Sequence, residues 1–158
     1  MEIEQIHMPE ETQQLRALMA DYLREFDSAG DPTALWDAEY YATCAGGVRA
    51  GTHYLAFARE AGDVIGFVIA RIEPLWYRPS VWLGHVEELY VQPQHRRMGV
   101  GSLLVSHVSA EAYARGARSV VASVLQENRI ALKSWQAIGY ELRVHNLYGP
   151  ARSVAATL

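Results

Sequence analysis

The sequence predicts an α/β domain, an α+β arrangement in which helices lie on the faces of one mixed sheet. Two observations lead there. Stretches whose apolar residues recur at three- and four-residue spacings are interleaved with stretches that alternate or run continuously apolar. The chain of 158 residues, without internal repeat, low-complexity tract or linker, fits one domain over 1–158 that can bury a full core.

Taken in order, Ile3 to His7 reads as a short first strand. From Pro9 the pattern turns helical, with Leu15, Leu18, Met19, Tyr22, Leu23 and Phe26 on one face. Ser28-Ala-Gly-Asp-Pro32 breaks that helix, because Gly and Pro do not continue it. A second helix is expected from Thr33 to Ala45, ended by Gly46-Gly47, with Trp36, Tyr40 and Tyr41 packing. Thr52 to Arg59 and Val64 to Ile72 are strand-like and joined by the turn-rich Glu60-Ala-Gly-Asp63, a hairpin. Glu73 to Leu83, with its Pro and Trp residues, separates these from a third run, Gly84 to Val91. A helix follows from Gly99 to Arg115, with Val100, Leu103, Leu104, His107 and Val108 on one face. Arg118 to Leu125 is nearly all apolar, as an interior strand should be. Asn128 to Ile138 is a helix closed by Gly139, and Tyr140 to Tyr148 is a last strand. The order is β-α-α-β-β-β-α-β-α-β.

Charge and cysteine content narrow the function classes. Fourteen basic residues against 18 acidic ones give a net charge of −4 with no basic run, which argues against nucleic-acid binding. Cys44 is the single cysteine, so no intramolecular disulfide forms and a reducing, cytoplasmic setting is expected. Met1-Glu-Ile-Glu-Gln lacks the basic and apolar regions of a secretory signal, and no apolar run reaches membrane-spanning length. The six histidines show no metal-ligand spacing, so no metal is expected; His7, His53, His107 and His145 read as structural or surface residues.

Chemistry concentrates in Arg96-Arg97-Met98-Gly99-Val100-Gly101, which follows a strand and opens a helix. Free N–H groups at a helix start make an anion site, and glycine lets backbone approach a pyrophosphate closely. Arg96 and Arg97 add charge-assisted donors. The pattern is neither the P-loop, which needs Gly-Lys-Ser/Thr, nor the dinucleotide fingerprint Gly-x-Gly-x-x-Gly. A plain glycine turn before a helix explains the spacing equally well.

The longer stretch Glu87-Glu88-Leu89-Tyr90-Val91, through Arg96, Gly99 and Gly101, to Ser102-Leu-Leu resembles the signature of the GNAT N-acetyltransferases. Asn128 to Trp135 and Gly139-Tyr140 resemble a second block of that family, at the expected separation. The likeness covers roughly Val64 to Tyr148. It implies the acyl-CoA N-acyltransferase fold with splayed central strands, and acetyl-CoA as cosubstrate without a metal. The implied coenzyme contacts are Leu89, Tyr90 and Val91, then Arg96, Arg97, Met98, Gly99, Val100, Gly101 and Ser102, then Asn128, Ala131 and Trp135. The pantetheine arm would bond to backbone groups left free where two strands part. Asn128 is also a plain helix N-cap, and both roles suit one side chain.

Acetyl transfer to an amine needs a neutral nitrogen, whereas an alkylammonium has a pKa of about 10.4. A base must take that proton. Strand alternation puts His85, Glu87, Leu89 and Val91 on one face and Glu88 and Tyr90 on the other. The resemblance implies a base at Glu87, directly or through water, with His85 as second choice; a solvated polar pair is the bland alternative. The family's proton-donating tyrosine corresponds to Trp135, which cannot serve as an acid; Tyr140 and Tyr148 are available hydroxyls, and nothing in the sequence places either at the sulfur. Cys44 reads as a packing residue. Trp76-Tyr77-Arg78-Pro79 and Trp82 form an acceptor wall, packing or a subunit contact.

The expected function is acetyl transfer from acetyl-CoA to a primary amine by direct attack in a ternary complex. The acceptor is a small-molecule amine or a protein amino group, with no nucleic-acid or membrane partner, and the resemblance allows a homodimer. The alternative is a coenzyme-binding sensor that does not turn over.

Overall fold

The computed structural model describes residues 1–7, 12–27 and 38–144. Its elements are β1 (Glu2–Gln5), α1 (Thr12–Asp27), α2 (Ala38–Ala50), β2 (His53–Glu60), β3 (Asp63–Leu75), β4 (Arg78–Val91), α3 (Val100–Ala114), β5 (Ala117–Ala122) and α4 (Arg129–Ala137), with a 3-10 turn at Pro93–His95. The expected order holds through α4. Of the last predicted strand, residues 140–144 carry no strand and 145–148 lie outside the described residues. Pro9, the Ser28 to Pro32 break, the first part of the predicted second helix with Trp36, and His145 and Tyr148 also lie outside them.

The sheet order is β1-β2-β3-β4-β5, antiparallel throughout except for the parallel pair β4–β5. Ala61 and Gly62, both at positive φ (50° and 92°), form the two-residue turn that closes β2–β3, as a tight hairpin requires. The β3–β4 hairpin is longer than its sequence suggests. The segment Glu73 to Leu83, predicted as a connection, stays paired out to Leu75↔Arg78, and only Trp76 and Tyr77 turn. Pro74 is accommodated because the register shifts beside it, where a missing backbone donor costs least.

Three other expectations are corrected. The second helix does not stop at Gly46-Gly47 but runs through them to Ala50. Gly47 is where it touches β2, since a Cβ there would fall 1.9 Å from the His53 ring, and Gly51, at φ 74°, takes the turn out. In α3 the inward stripe is Val100, Leu104, Val105, Val108 and Ala112, so His107 lies outside it. The predicted interior strand, β5, is largely exposed, because among the described residues it pairs with β4 alone.

Both sheet faces carry a core. On one, Phe57, Phe67, Ile69 and Tyr90 pack with Leu15, Leu18 and Met19 of α1 and Cys44 of α2. On the other, Val68, Ala70, Ile72 and Val86 pack against Val100, Leu104 and Val108 of α3. Strand alternation divides these sets, and β4 contributes to both.

Candidate functional site

β4 interrupts its own alternation at the residues that matter. Its pairing with β3 runs Phe67↔Tyr90, Val68↔Leu89 and Ile69↔Glu88, then jumps to Ala70↔Val86 and Arg71↔His85, leaving Glu87 as the extra residue of a β-bulge. Leu89 and Val91 therefore pack on the α3 side, while His85, Glu88 and Tyr90 share the α1–α2 side. The expectation that His85 and Glu87 share a face with Leu89 and Val91, opposite Glu88, is overturned. A bulge shifts every side chain upstream of it to the other face.

Glu87 Oε1 accepts from Nε of Arg71, whose NH1 donates to Glu73 Oε1 at 2.7 Å. Arg71 NH2 lies 3.3 Å from His85 Nδ1, and His85 Nε2 lies 3.1 Å from Ser123 Oγ. The same Nδ1 lies 3.5 Å from Glu87 Oε1, so the ring sits between a group that only donates and one that only accepts, and its tautomer sets which of them it engages. Through Ser123, His85 ties β4 to the end of β5.

Glu88 is the residue that sequence reasoning passed over. Burial foremost pushes its carboxyl up to about 7, the Tyr22 hydroxyl opposes this by donating to it, and the Glu87 charge adds to the rise. Tyr40 and Cys44 of α2 face the same carboxylates, and burial raises both of their pKa values. Two adjacent glutamates were the only signal in the sequence.

The β4–β5 pairing ends at Val86↔Ala122. From Glu87 to Val91 the β5 side of β4 has no strand partner among the described residues, so the strands part as expected. At the end of this gap α3 begins. Gly99 adopts the left-handed conformation (φ 84°), disfavoured for other residues, and no atom lies within 4 Å of where its Cβ would be. Gly101 is equally open, its nearest neighbour the Val91 side chain at 3.9 Å. The first helical bond into α3 from this turn is Leu103 N–H to Gly99 O, which leaves the N–H groups of Val100, Gly101 and Ser102 facing the opening. Met98 is exposed and Val100 buried. Free amides, a helix start and open space suit a pyrophosphate.

The arginines differ. Arg97 stands exposed at φ 64°. Arg96 is engaged: its Nε donates to Val91 O at 2.8 Å, and NH2 meets both Glu25 carboxylate oxygens at 2.7 Å. Tyr90, expected at the coenzyme, packs its ring against Tyr22 and Phe67 with centroids 5.7 and 5.9 Å away, so only its backbone is available there. An open hollow of ≈ 450 Å³ lies on the α1 side of the loop, lined by Asp21, Glu25, Tyr90 and Gln92.

Asn128 caps α4, its side chain accepting from Ala131 N–H at 3.0 Å. Trp135 packs edge-on against Tyr140 with centroids 4.7 Å apart and rests on the α3-side core. The Tyr140 hydroxyl is bonded to Ser109 on α3. Trp76 and Tyr77 are 90% and 64% exposed at the hairpin tip, edge-on to each other rather than buried in a core.

Solved acetyltransferase structures share this architecture. An aminoglycoside acetyltransferase from an uncultured soil metagenomic sample superposes with a TM-score of 0.75 at 16% identity, covering 96% of each chain. A ribosomal-protein-alanine N-acetyltransferase from Brucella melitensis biovar Abortus 2308 gives 0.72 at 19%, covering 95% of this chain and 99% of that one. An aminoglycoside N-acetyltransferase in complex with CoA gives 0.73 at 20%, covering 96% and 99%. In sequence, the chain is 30% identical over 67 residues to the thialysine N-epsilon-acetyltransferase of Bos taurus, covering 40% of this chain and 39% of that protein. Its likeness to the enzyme of that description from Caenorhabditis elegans is 32% over 79 residues, covering 48% and 49%. The chain spans less than half the length of these curated relatives. A family model described as the acetyltransferase (GNAT) family matches residues 2–140, a span that takes in every strand and helix from β1 to α4, and the chain belongs to that family.

Proposed function

We propose that this protein transfers an acetyl group from acetyl-CoA to a primary amine by direct attack in a ternary complex. The observation that carries this is the parting of β4 from β5 directly upstream of the open Gly99–Gly101 turn. Amides of Val100, Gly101 and Ser102, with Arg97, would hold the pyrophosphate, and the free backbone of Leu89 and Val91 the pantetheine arm. Bound there, acetyl-CoA supplies a thioester carbon open to attack. A backbone N–H near Val91 would polarise its carbonyl. The acceptor side carries Glu73, Glu87 and Glu88 around the single cation Arg71, and this excess of carboxylates suits an ammonium. Glu87 lies on the proton path, directly or through a water it holds, with His85 bracing β4 beside it.

Acceptors in the names of similar proteins, thialysine and aminoglycosides, set the substrate classes to try first. A cytoplasmic setting agrees with the free, buried Cys44, and no helix among the described residues is long and apolar enough to cross a membrane. The test is thiol release from acetyl-CoA with thialysine, polyamines, aminoglycosides and peptides. Release with one class identifies the acceptor; coenzyme binding without release for all of them favours the sensor reading. Trp135, which brings no hydroxyl to the family's tyrosine position, is what supports that second reading. Gly99→Val should weaken coenzyme affinity at least about tenfold, because it strains a left-handed backbone and crowds the turn. Unchanged affinity by calorimetry would remove the loop from the site.

A further inference from the structure

We infer that the proton removed from the acceptor ammonium comes to rest on Glu88, with the Tyr22 hydroxyl as the positioning group that holds its carboxylate. This deepens the acetyl-transfer reading and rests on it.

The two adjacent glutamates are brought to the same side of the sheet by the bulge, and their surroundings then set them apart. Glu87 already accepts from Arg71, which also holds Glu73 and reaches toward His85. Its oxygen is committed to a cation, which fits a group that orients an ammonium or a water. Glu88 stands next to it, paired in register with the buried Ile69 and half-buried on the face of the sheet that α1 and α2 pack against. The groups facing it are Tyr22 from α1, Tyr40 and Cys44 from α2, and Glu87 on β4. None of these is a cation, and the charge beside it is of like sign. Burial, opposed by the Tyr22 hydrogen bond and assisted by Glu87, brings the Glu88 carboxyl to about 7. A base whose affinity for protons matches the working pH combines an ionised resting state with real driving force for uptake.

Glu88 also immediately precedes Leu89, whose backbone borders the opening between β4 and β5. The side chain of Glu88 projects to one face of the sheet while Leu89 packs on the other, so the carboxylate lies across the strand from α3.

The step balances as follows. One ammonium proton passes to a Glu88 oxygen, directly or through the water that Glu87 orients. The freed lone pair forms the C–N bond at the thioester carbon as the carbonyl electrons move to oxygen. Their return breaks the C–S bond and coenzyme A leaves as thiolate. The second nitrogen proton reaches that thiolate through solvent, and Glu88 returns its proton to bulk water.

The experiment is kcat/KM against pH for the unmodified protein, Glu88→Gln, Glu87→Gln and Tyr22→Phe, using the amine found by thiol release. The unmodified protein should rise through an inflection near pH 7. Glu88→Gln should lose that inflection and about 100-fold in kcat, with coenzyme affinity within about twofold, as expected for a group that acts on the proton rather than on coenzyme binding. Glu87→Gln should lower turnover yet keep the inflection, and Tyr22→Phe should move it to higher pH by removing a donor to the carboxylate. Retention of the inflection in Glu88→Gln, or its loss in Glu87→Gln alone, overturns the assignment while acetyl transfer stands. Should Glu88→Gln not fold, an unmoved inflection in Tyr22→Phe overturns it equally. Absence of thiol release from every amine with the unmodified protein overturns the acetyl-transfer reading, and this assignment falls with it.

Discussion

A carboxyl side chain half-buried on a sheet face that helices cover loses part of the hydration its ionised form needs, and Glu88 is held in that position. The consequence for stability has a definite sign. The folded-state pKa, about 7, lies above the ordinary 4.5. Between those values the folded chain keeps a proton that the unfolded chain has lost, so stability falls as pH rises through that window and levels off above it. The loss amounts to as much as about 3 kcal/mol at pH 8. Glu88→Gln removes the titration, and its advantage over the unmodified protein should be larger at pH 8 than at pH 5 in urea unfolding. An equal difference at the two pH values would contradict the burial of the charge. Nothing in the sequence near Glu88 announces this. Strict alternation assigns Glu88 to the face away from His85 and Glu87, and the extra residue at Glu87 becomes visible only once β3 supplies the register.

At the scale of elements, helix ends were legible where a local hydrogen bond makes them. Asn128 starts α4 with its own side chain, and Gly139, at φ 95°, follows it. Asn128→Ala should cost about 1 kcal/mol in thermal unfolding, with Asn128→Ser close to the parent. Coenzyme affinity separates the two roles of this residue. If it falls in both variants, the amide touches the coenzyme; if it falls only with the lost cap, the role is that of a cap. Element ends set by tertiary contact were not legible. Gly46-Gly47 looks like a stop, yet α2 continues because Gly47 fits against the His53 ring of the next strand. Glu73 to Leu83 looks like a connection, yet it pairs with itself across a two-residue tip because strand partners outweigh one proline.

For the molecule as a whole, one sheet carries two cores, and β3 and β4 feed both. Phe67 on the α1–α2 side and Leu104 on the α3 side are each fully buried. Phe67→Ala and Leu104→Ala should each cost about 3 kcal/mol or more, read as a lowered urea midpoint. Because the shared strands couple the two layers, each variant should still unfold in one transition with the slope of the parent. A second transition in either would mean that the layers fold separately. The same coupling holds the site, since α1 contributes Tyr22 and Glu25, β4 the carboxylates and α3 the amides.

The amino-acid sequence by itself determined the order of elements through α4, the open turn at Gly99 and the Asn128 cap. Each depends on residues close together along the chain: hydrophobic period, glycine conformational freedom, a side chain reaching three residues on. Only the tertiary structure decided which face each β4 carboxylate occupies, that Arg71 takes Glu87 and leaves Glu88 without a cation among the described residues, and that Arg96 is held by Glu25. Those outcomes depend on register and on partners between 16 and 71 residues away, and a one-residue bulge reverses a face without leaving a local mark.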